Sequence, residues 1–288
     1  MSSIFNTPLR YPGGKGRLTR HVSKIIELNS LNDGVYIEPY AGGAGIAISL
    51  LFSEHVRSVV INDLNKSIYA FWKSILDHNI EFCDRIREVP ITVDEWYKQK
   101  DVQNDSSASL LNLGFSTFYL NRVNRSGIIN GGLIGGVSQA GKWKMDARFN
   151  KGNLIARIES IGRYRSRIKV CSMDAADFIL SELPGISEKS LVYFDPPYCV
   201  KGGGLYENNY CGKDHKIIAD LVQSNVSHNW MMTYDNHELV RRLYENRRQE
   251  IFNLHYSANK RFTGSELMIY GDSLVIPERV VASRSTAA

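Results

Sequence analysis

An unbroken apolar run, Leu191-Val192-Tyr193-Phe194, stops at Asp195-Pro196-Pro197-Tyr198. The run predicts a buried strand, and two prolines end it at once because neither can donate a ladder hydrogen bond. A carboxylate, two rigid peptide units and an aromatic ring therefore stand together at the carboxyl end of a strand. In an open α/β sheet that is where ligands bind. An Asp-Pro turn after a strand is common by itself. The whole tetrapeptide is much rarer, and two upstream stretches accompany it.

The first is Leu9-Arg10-Tyr11-Pro12-Gly13-Gly14-Lys15-Gly16. Its glycines let backbone approach a ligand closely, and Lys15 puts a cation on the same loop. It is not a phosphate loop, because no Ser or Thr follows the lysine and the glycine spacing is wrong. A basic helix should follow from Leu18 to Leu28, with Leu18, Val22, Ile25 and Ile26 on one face. The second stretch, Val35-Tyr36-Ile37-Glu38-Pro39-Tyr40-Ala41-Gly42-Gly43-Ala44-Gly45, reads as strand, glycine turn and then a helix from Ile46 to Phe52. Such a turn admits a cofactor against the backbone at the first strand of a doubly wound sheet. Further on, Val59-Val60-Ile61-Asn62-Asp63 is another apolar run ending in an acid, at the strand tip where a ribose hydroxyl pair is gripped. A dinucleotide-binding oxidoreductase would show the same layout.

The tetrapeptide resembles the signature of amino-group DNA methyltransferases, and its Asp form points to the N6-adenine enzymes. With Tyr-Pro-Gly-Gly-Lys, Glu-Pro-Tyr-Ala-Gly-Gly-Ala-Gly, Asn-Asp and Asp-Pro-Pro-Tyr in that order, nearly the whole chain resembles the Dam-like DNA adenine N6-methyltransferases. The resemblance implies an α/β fold: a Rossmann-like S-adenosylmethionine-dependent methyltransferase sheet with an inserted, mainly helical DNA-recognition domain. It implies that Tyr11, Lys15, Asp63 and Asp195 contact the methyl donor, with Glu38, Pro39, Gly42 and Gly43 forming the cofactor turn. Tyr11 stands where some relatives carry tryptophan. Asp174 and Phe178, ahead of the signature strand, are further candidates for holding the adenosyl base. Catalysis falls to Asp195, Pro196 and Tyr198. The exocyclic amine of adenine is a poor nucleophile because its lone pair is delocalised. The Asp195 carboxylate and the Pro196 carbonyl can accept its two hydrogens, and Tyr198 can stack on the base. The donor is a strong electrophile, so positioning and electrostatics carry most of the barrier. No metal is expected. The substrate is double-stranded DNA, whose target base must leave the stack.

From Ile68 to Gly162 the α/β rhythm breaks, which gives catalytic parts at 1–67 and 165–288 around a recognition insertion at 68–164. Helices are expected around Phe71 to Phe82, at Trp96 to Lys100 and from Leu110 to Leu120, with a polar loop from Asp101 to Ser109. Gly131 to Gly136 is too glycine-rich for a helix and reads as a loop or irregular hairpin. Between Asn121 and Lys169 there are eleven Lys and Arg against two Asp and Glu, a net of +9 in a chain whose total is +5. Such asymmetry suggests a polyanionic partner. Arg122, Arg125, Lys142, Lys144 and Arg148 are the candidate DNA contacts. Trp143 is either a wedge between bases or part of a small local core. Strands are then expected at Ile168 to Ser172, Asn229 to Tyr234, Ile251 to Tyr256 and Leu267 to Tyr270, with helices at Ala175 to Leu180, Lys213 to Gln223 and Glu238 to Tyr244. Lys201 to Gly212 is expected to close over substrate, and Asn259 to Gly264 to form a basic turn.

The 288 residues suffice for one large or two modest domains, and no run approaches a membrane span. Met1 to Asn6 does not read as a secretory signal, and the four cysteines form no CxxC pair, so reduced thiols in a cytoplasmic protein are expected. No obligate protein partner is implied. Two other readings stay open: a DNA-binding module that has lost catalysis, and methylation of RNA. The Asp form of the tetrapeptide weighs against cytosine N4, where Ser is usual.

Overall fold

The computed structural model describes residues 6–11, 13–199, 210–256 and 262–278. Along the chain the elements are α1 (Thr19–Leu28), β1 (Gly34–Glu38), α2 (Gly45–Phe52), β2 (Val56–Asn62), α3 (Lys66–Asp77), α4 (Asn79–Glu88), α5 (Val93–Asn104), α6 (Leu110–Val123), α7 (Lys151–Arg163), β3 (Ile168–Cys171), α8 (Ala175–Asp177), β4 (Ser190–Phe194), α9 (Gly212–Asn225), β5 (Asn229–Asp235), α10 (Glu238–Leu243), β6 (Arg248–Tyr256) and β7 (Phe262–Tyr270). They form two compact units. One takes in Lys15–Leu64 and the chain from Arg167, the other Asn6–Gly14 and Asn65–Ser166.

The first unit is built on a seven-stranded sheet of order β3-β2-β1-β4-β5-β7-β6. The five strands from β3 to β5 run parallel, and β7 is antiparallel to both β5 and β6. This is the Rossmann-like α/β arrangement expected from the sequence. The order reverses between β1 and β4, so the Glu38 and Asp195 ends of these strands lie at the switch point where open sheets bind ligands. All five residues of β4 are buried, which is why the run carries no alternation. Ile37, Val192, Phe194, Met232 and Ile269 join Phe178, Ile218 and Val222 in one apolar cluster. Helix α1 buries His21, Val22, Ile25 and Ile26.

The second unit is helical. Asn65 caps α3 by accepting the Ser67 and Ile68 N–H groups at 2.8 and 3.3 Å. Phe71, Phe82, Phe115, Phe118 and Phe149 form a connected aromatic core. Helices α3 and α6 approach so closely that a Cβ on Gly114 would lie 2.5 Å from the Ala70 carbonyl oxygen and the Ser74 Oγ. The segment Asn6–Gly14 belongs to this unit because Asn121 clamps it: Oδ1 accepts the Arg10 N–H at 2.7 Å and Nδ2 donates to the Arg10 carbonyl at 2.8 Å.

Several expectations are corrected. Asp101 to Asn104 is helix rather than loop, because Gln103 donates to Ser116 and Thr117 on α6 and accepts from Ser67 on α3. The helix expected from Ala175 to Leu180 passes from α8 into a wider π-helical turn, Phe178–Glu182. Gly131 to Gly136 is irregular, in keeping with the expectation, and is tied back by a bridge between Asn124 and Leu133. Strands β6 and β7 are longer than expected, paired from Arg248 with Tyr270 to Tyr256 with Phe262. Most of the expected Lys201–Gly212 closing segment lies outside the described residues, as do Asn259, Lys260 and Arg261 of the basic turn. Among the described residues, no helix is long and apolar enough to cross a membrane.

Candidate active site

Asp195 follows β4 directly, and a small polar cluster gathers on it in the sheet unit. The Thr233 hydroxyl, on β5, donates to Asp195 Oδ1 at 2.8 Å. The Tyr193 hydroxyl lies 2.7 Å from that of Thr233. Lys15 Nζ stands 3.2 Å from Oδ1 and 3.3 Å from Oδ2, and 3.8 Å from Glu266 on β7. The same ammonium lies 4.8 Å from the centroid of the Tyr198 ring, within cation–π range, and the Tyr198 hydroxyl reaches Asp195 Oδ1 at 3.5 Å. The Lys15 and Glu266 side chains are almost fully buried at 4% and 0% exposure, whereas Asp195 keeps 23%. Asp195 is thus the member of the cluster turned outward. Lys15 and Tyr198, neighbours only in the fold, meet on it.

A second group lies at the tips of β1 and β2. The turn after β1 needs a left-handed residue at Gly42, φ +47°, which glycine adopts without a Cβ penalty. Asp63 Oδ2 accepts the Gly42 N–H at 2.8 Å, so the acid and the turn hold each other. Glu38 is buried and accepts the Ala47 N–H at 3.2 Å. Burial pushes its carboxyl up to about 8, an upward shift to which the Asp195 charge adds. Asn62 was missed by sequence reasoning. Its Nδ2 donates to the Pro39 and Met173 carbonyls, each at 3.0 Å, and its Oδ1 accepts the Met173 N–H at 2.9 Å. It thereby stitches the ends of β1, β2 and β3 together. The Asn-Asp pair marked the spot, but attention to the acid hid the amide.

Other candidates are redistributed. Phe178 is fully buried in the sheet core, so its ring packs rather than faces a ligand. Asp174 caps α8, accepting the Ala176 N–H at 2.8 Å. Tyr11 lies in the helical unit, where its carbonyl accepts the Gly14 N–H. Beside the tetrapeptide, Tyr198 packs near Tyr234, and the Tyr40 and Tyr210 hydroxyls lie 3.0 Å apart.

In the helical unit, Arg125, Lys142, Lys144 and Arg148 are exposed. Trp143 is 67% exposed, which rules out the local-core reading. Lys144 Nζ donates to the Gln139 carbonyl. Arg122 differs from the rest. Its Nε donates to the Arg148 carbonyl at 2.7 Å and its Nη1 to the Pro8 carbonyl at 3.4 Å. Burial first, then the charges of Arg10, Arg157 and Arg148, pull its guanidinium down to about 9. Backbone carbonyls, not an acid, hold it. Arg10 and Arg157 also point their guanidinium groups at carbonyls, those of Asn124 and Thr7. No ion pair with a carboxylate is formed by Arg10, Arg122, Arg148 or Arg157 among the described residues, whereas Arg85, Arg167, Arg242 and Arg247 each have one and Arg87 has two. Also among the described residues, no group of three or more His, Cys, Asp or Glu is placed to hold a metal ion.

A mainly parallel sheet with a glycine turn on its first strand, an acid at the next tip and Asp-Pro-Pro-Tyr beyond the switch point is the arrangement that the resemblance implies for a methyltransferase acting on an amino group. The chain belongs to the D12 class N6 adenine-specific DNA methyltransferase family, whose model matches residues 11–262. It is 26% identical over 211 residues to the Type II methyltransferase M.MjaIII of Methanocaldococcus jannaschii, covering 66% of this chain and 68% of that protein. Solved structures resemble it more loosely. The rRNA methyltransferase aviRa from Streptomyces viridochromogenes shares 12% identity at a TM-score of 0.39, over 90% of this chain and 86% of that one. M. capricolum TrmK in complex with S-adenosyl-homocysteine shares 8% at a TM-score of 0.38, over 87% and 69%. The enzyme is thus a DNA methyltransferase that modifies N6 of adenine.

Proposed function

We propose that the enzyme takes its methyl group from S-adenosylmethionine and delivers it to an adenine flipped out of a specific site in double-stranded DNA. The observation that carries this reading is the outward-turned Asp195 carboxylate at the switch point, with Lys15 and Tyr198 gathered on it. When bound, the donor supplies an electrophilic methyl on a cationic sulfur. The chain offers a matching environment. Gly42 and Asp63 form a backbone-and-carboxylate cradle at the strand tips, and the buried Glu38 carboxyl lies beside them. Tyr11, Lys15, Glu38, Pro39, Gly42, Gly43 and Asp63 are the residues proposed to hold the donor.

On the substrate side, Asp195 Oδ2 and the Pro196 carbonyl accept the two amine hydrogens. This restores electron density to nitrogen and aims its lone pair. Proline fixes φ, so the carbonyl direction is set by the chain itself. In this reading Tyr198 stacks on the base. The helical unit is proposed as the recognition domain. Its exposed Arg125, Lys142, Lys144 and Arg148 suit phosphates, and the exposed Trp143 suits a stacking or wedge role. No protein partner is needed for this chemistry, and the proposed compartment is the cytoplasm, where a prokaryotic genome lies.

The test is mass spectrometry of nucleosides from DNA incubated with labelled S-adenosylmethionine and either wild type or Asp195→Ala. N6-methyladenine should form with wild type. Loss of one acceptor should lower the rate by about 10²–10³ or more. Near-normal turnover by the variant would remove Asp195 from the reaction.

A further inference from the structure

Where β4 pairs with β5 the register is apolar apart from Asn229 at its start, and a polar cluster lies just beyond its end. Thr233 is fully buried and Tyr193 is 3% exposed. Their hydroxyls touch at 2.7 Å, and Thr233 touches Asp195 at 2.8 Å. The proton count sets the direction of this chain. A threonine hydroxyl has one hydrogen, and it is given to the Asp195 carboxylate, which has none to give. The contact with Tyr193 is therefore one in which the phenol donates. Burial, with the Asp195 charge behind it, holds the Tyr193 phenol well above its ordinary range, so it remains a donor. The relay runs from Tyr193 through Thr233 to Asp195 Oδ1.

Such a relay does something the tetrapeptide cannot do for itself. A carboxylate at the end of a strand can rotate about its last bond and exchange its two oxygens, because that torsion is broad. Thr233 sits one residue beyond the Phe194–Met232 register pair, and its β-branched side chain is stiff at χ1. Its hydroxyl therefore meets Oδ1 from a fixed direction. The Tyr198 hydroxyl approaches the same oxygen, at 3.5 Å. Among the described residues, the hydrogen bond to Oδ2 comes from Lys15 at 3.3 Å, whose Nζ also lies 3.2 Å from Oδ1.

We propose that Thr233, held by the Tyr193 hydroxyl, is a positioning residue that locks the rotation of the Asp195 carboxylate. Oδ1 is committed to the protein and Oδ2 is presented to the substrate amine. This rests on the reading of Asp195 as the amine acceptor. Thr233 and Tyr193 touch neither substrate nor donor in it, and act through Asp195.

The experiment compares wild type, Thr233→Val, Thr233→Ser, Tyr193→Phe and Asp195→Ala. It measures single-turnover methylation of duplex DNA, KM for DNA, and calorimetric affinity for S-adenosylhomocysteine. Thr233→Val should lower the single-turnover rate by about 10- to 100-fold, the scale on which misplacing one polar group acts. KM and product affinity should stay within about twofold of wild type, and Thr233→Ser, which restores the hydroxyl, should recover most of the rate. Tyr193→Phe should lower the rate by less, since it removes only the second link. It also carries the test if Thr233→Val fails to fold. The proposal is overturned if Thr233→Val and Tyr193→Phe turn over like wild type while Asp195→Ala is inactive. It is equally overturned if Thr233→Val loses rate and product affinity together and serine restores neither, the pattern of a structural role. Normal turnover by Asp195→Ala would bring down the reading of Asp195 itself, and the relay with it.

Discussion

At the scale of single residues, Glu38 and Arg122 show how burial turns a charged side chain to a particular use. Glu38 goes from an ordinary 4.5 to about 8 on folding, chiefly through desolvation. A carboxyl raised this way favours the fold while it is protonated. Its contribution is full below pH 4.5, declines as pH rises, and is gone above about 8. Glu38→Gln should flatten this slope, so that urea unfolding at pH 6 and pH 8.5 shows the variant losing less stability over the interval than wild type. Parallel losses in the two proteins would mean that Glu38 ionises normally in the fold. Arg122 ties α6 to Arg148 and Pro8 through backbone carbonyls. Arg122→Ala should cost about 1.5–3 kcal/mol of stability, the range for hydrogen bonds from a charged group. It should leave the ratio of cognate to altered-site binding unchanged, and a fall in that ratio would restore Arg122 as a base reader. Residues whose chemistry is local in the chain were legible: Asp195, the glycine turn and Asp63 are marked by their immediate neighbours. Thr233, Asn62 and Glu266 were not. Thr233 meets Asp195 from 38 positions away, and only the strand register brings the two together.

At the scale of elements, the apolar strands and the helices α1, α2 and α6 were readable, because their periodicity and length reflect one surrounding core each, whereas the one helix expected over Phe71 to Phe82 is the end of α3 and the start of α4. The misread pieces were those whose ends are set by partners. Asn104 ends α5 later than composition suggests because Gln103 finds hydroxyls on α6, and no local signal reports that. Packing of α3 on α6 depends on a single missing side chain. Gly114 lies where a Cβ would press on the Ala70 carbonyl, which is backbone and cannot turn aside. Alanine is the better helix former, by about 1 kcal/mol in a free helix. Overpacking of about 1–3 kcal/mol opposes it here. The clash at 2.5 Å on two atoms should win, so Gly114→Ala should lower the urea midpoint. A variant as stable as wild type or more so would show that the two helices can separate without loss.

At the scale of the whole molecule, charge and fold divide the work. The sheet unit sets the Asp63 and Asp195 carboxylates at its strand tips, which suits a cationic donor and an amine, while burial raises the Glu38 carboxyl to about 8. The stretch from Asn121 to Lys169 holds nine net positive charges. Burial first, and then neighbouring guanidinium charges with Arg148 among them, lower the pKa of Arg10 and of Arg122, which come from separate segments of the helical unit. Folding like charges together is unfavourable in isolation and becomes favourable when a polyanion is bound. Each phosphate neutralised then releases condensed counterions and contributes about 0.9 to the slope of log affinity against log salt. Arg148 is the informative position, because its side chain is exposed while its carbonyl, which a substitution keeps, is what anchors Arg122. Arg148→Ala should therefore leave the fold intact and weaken binding to all duplexes alike. The salt slope should become shallower by about one unit, and the preference for the cognate sequence should persist. Titrations of a cognate and an altered duplex at two salt concentrations give both quantities. An unchanged slope would mean that Arg148 faces no phosphate, and a loss confined to the cognate duplex would make it a reader of bases.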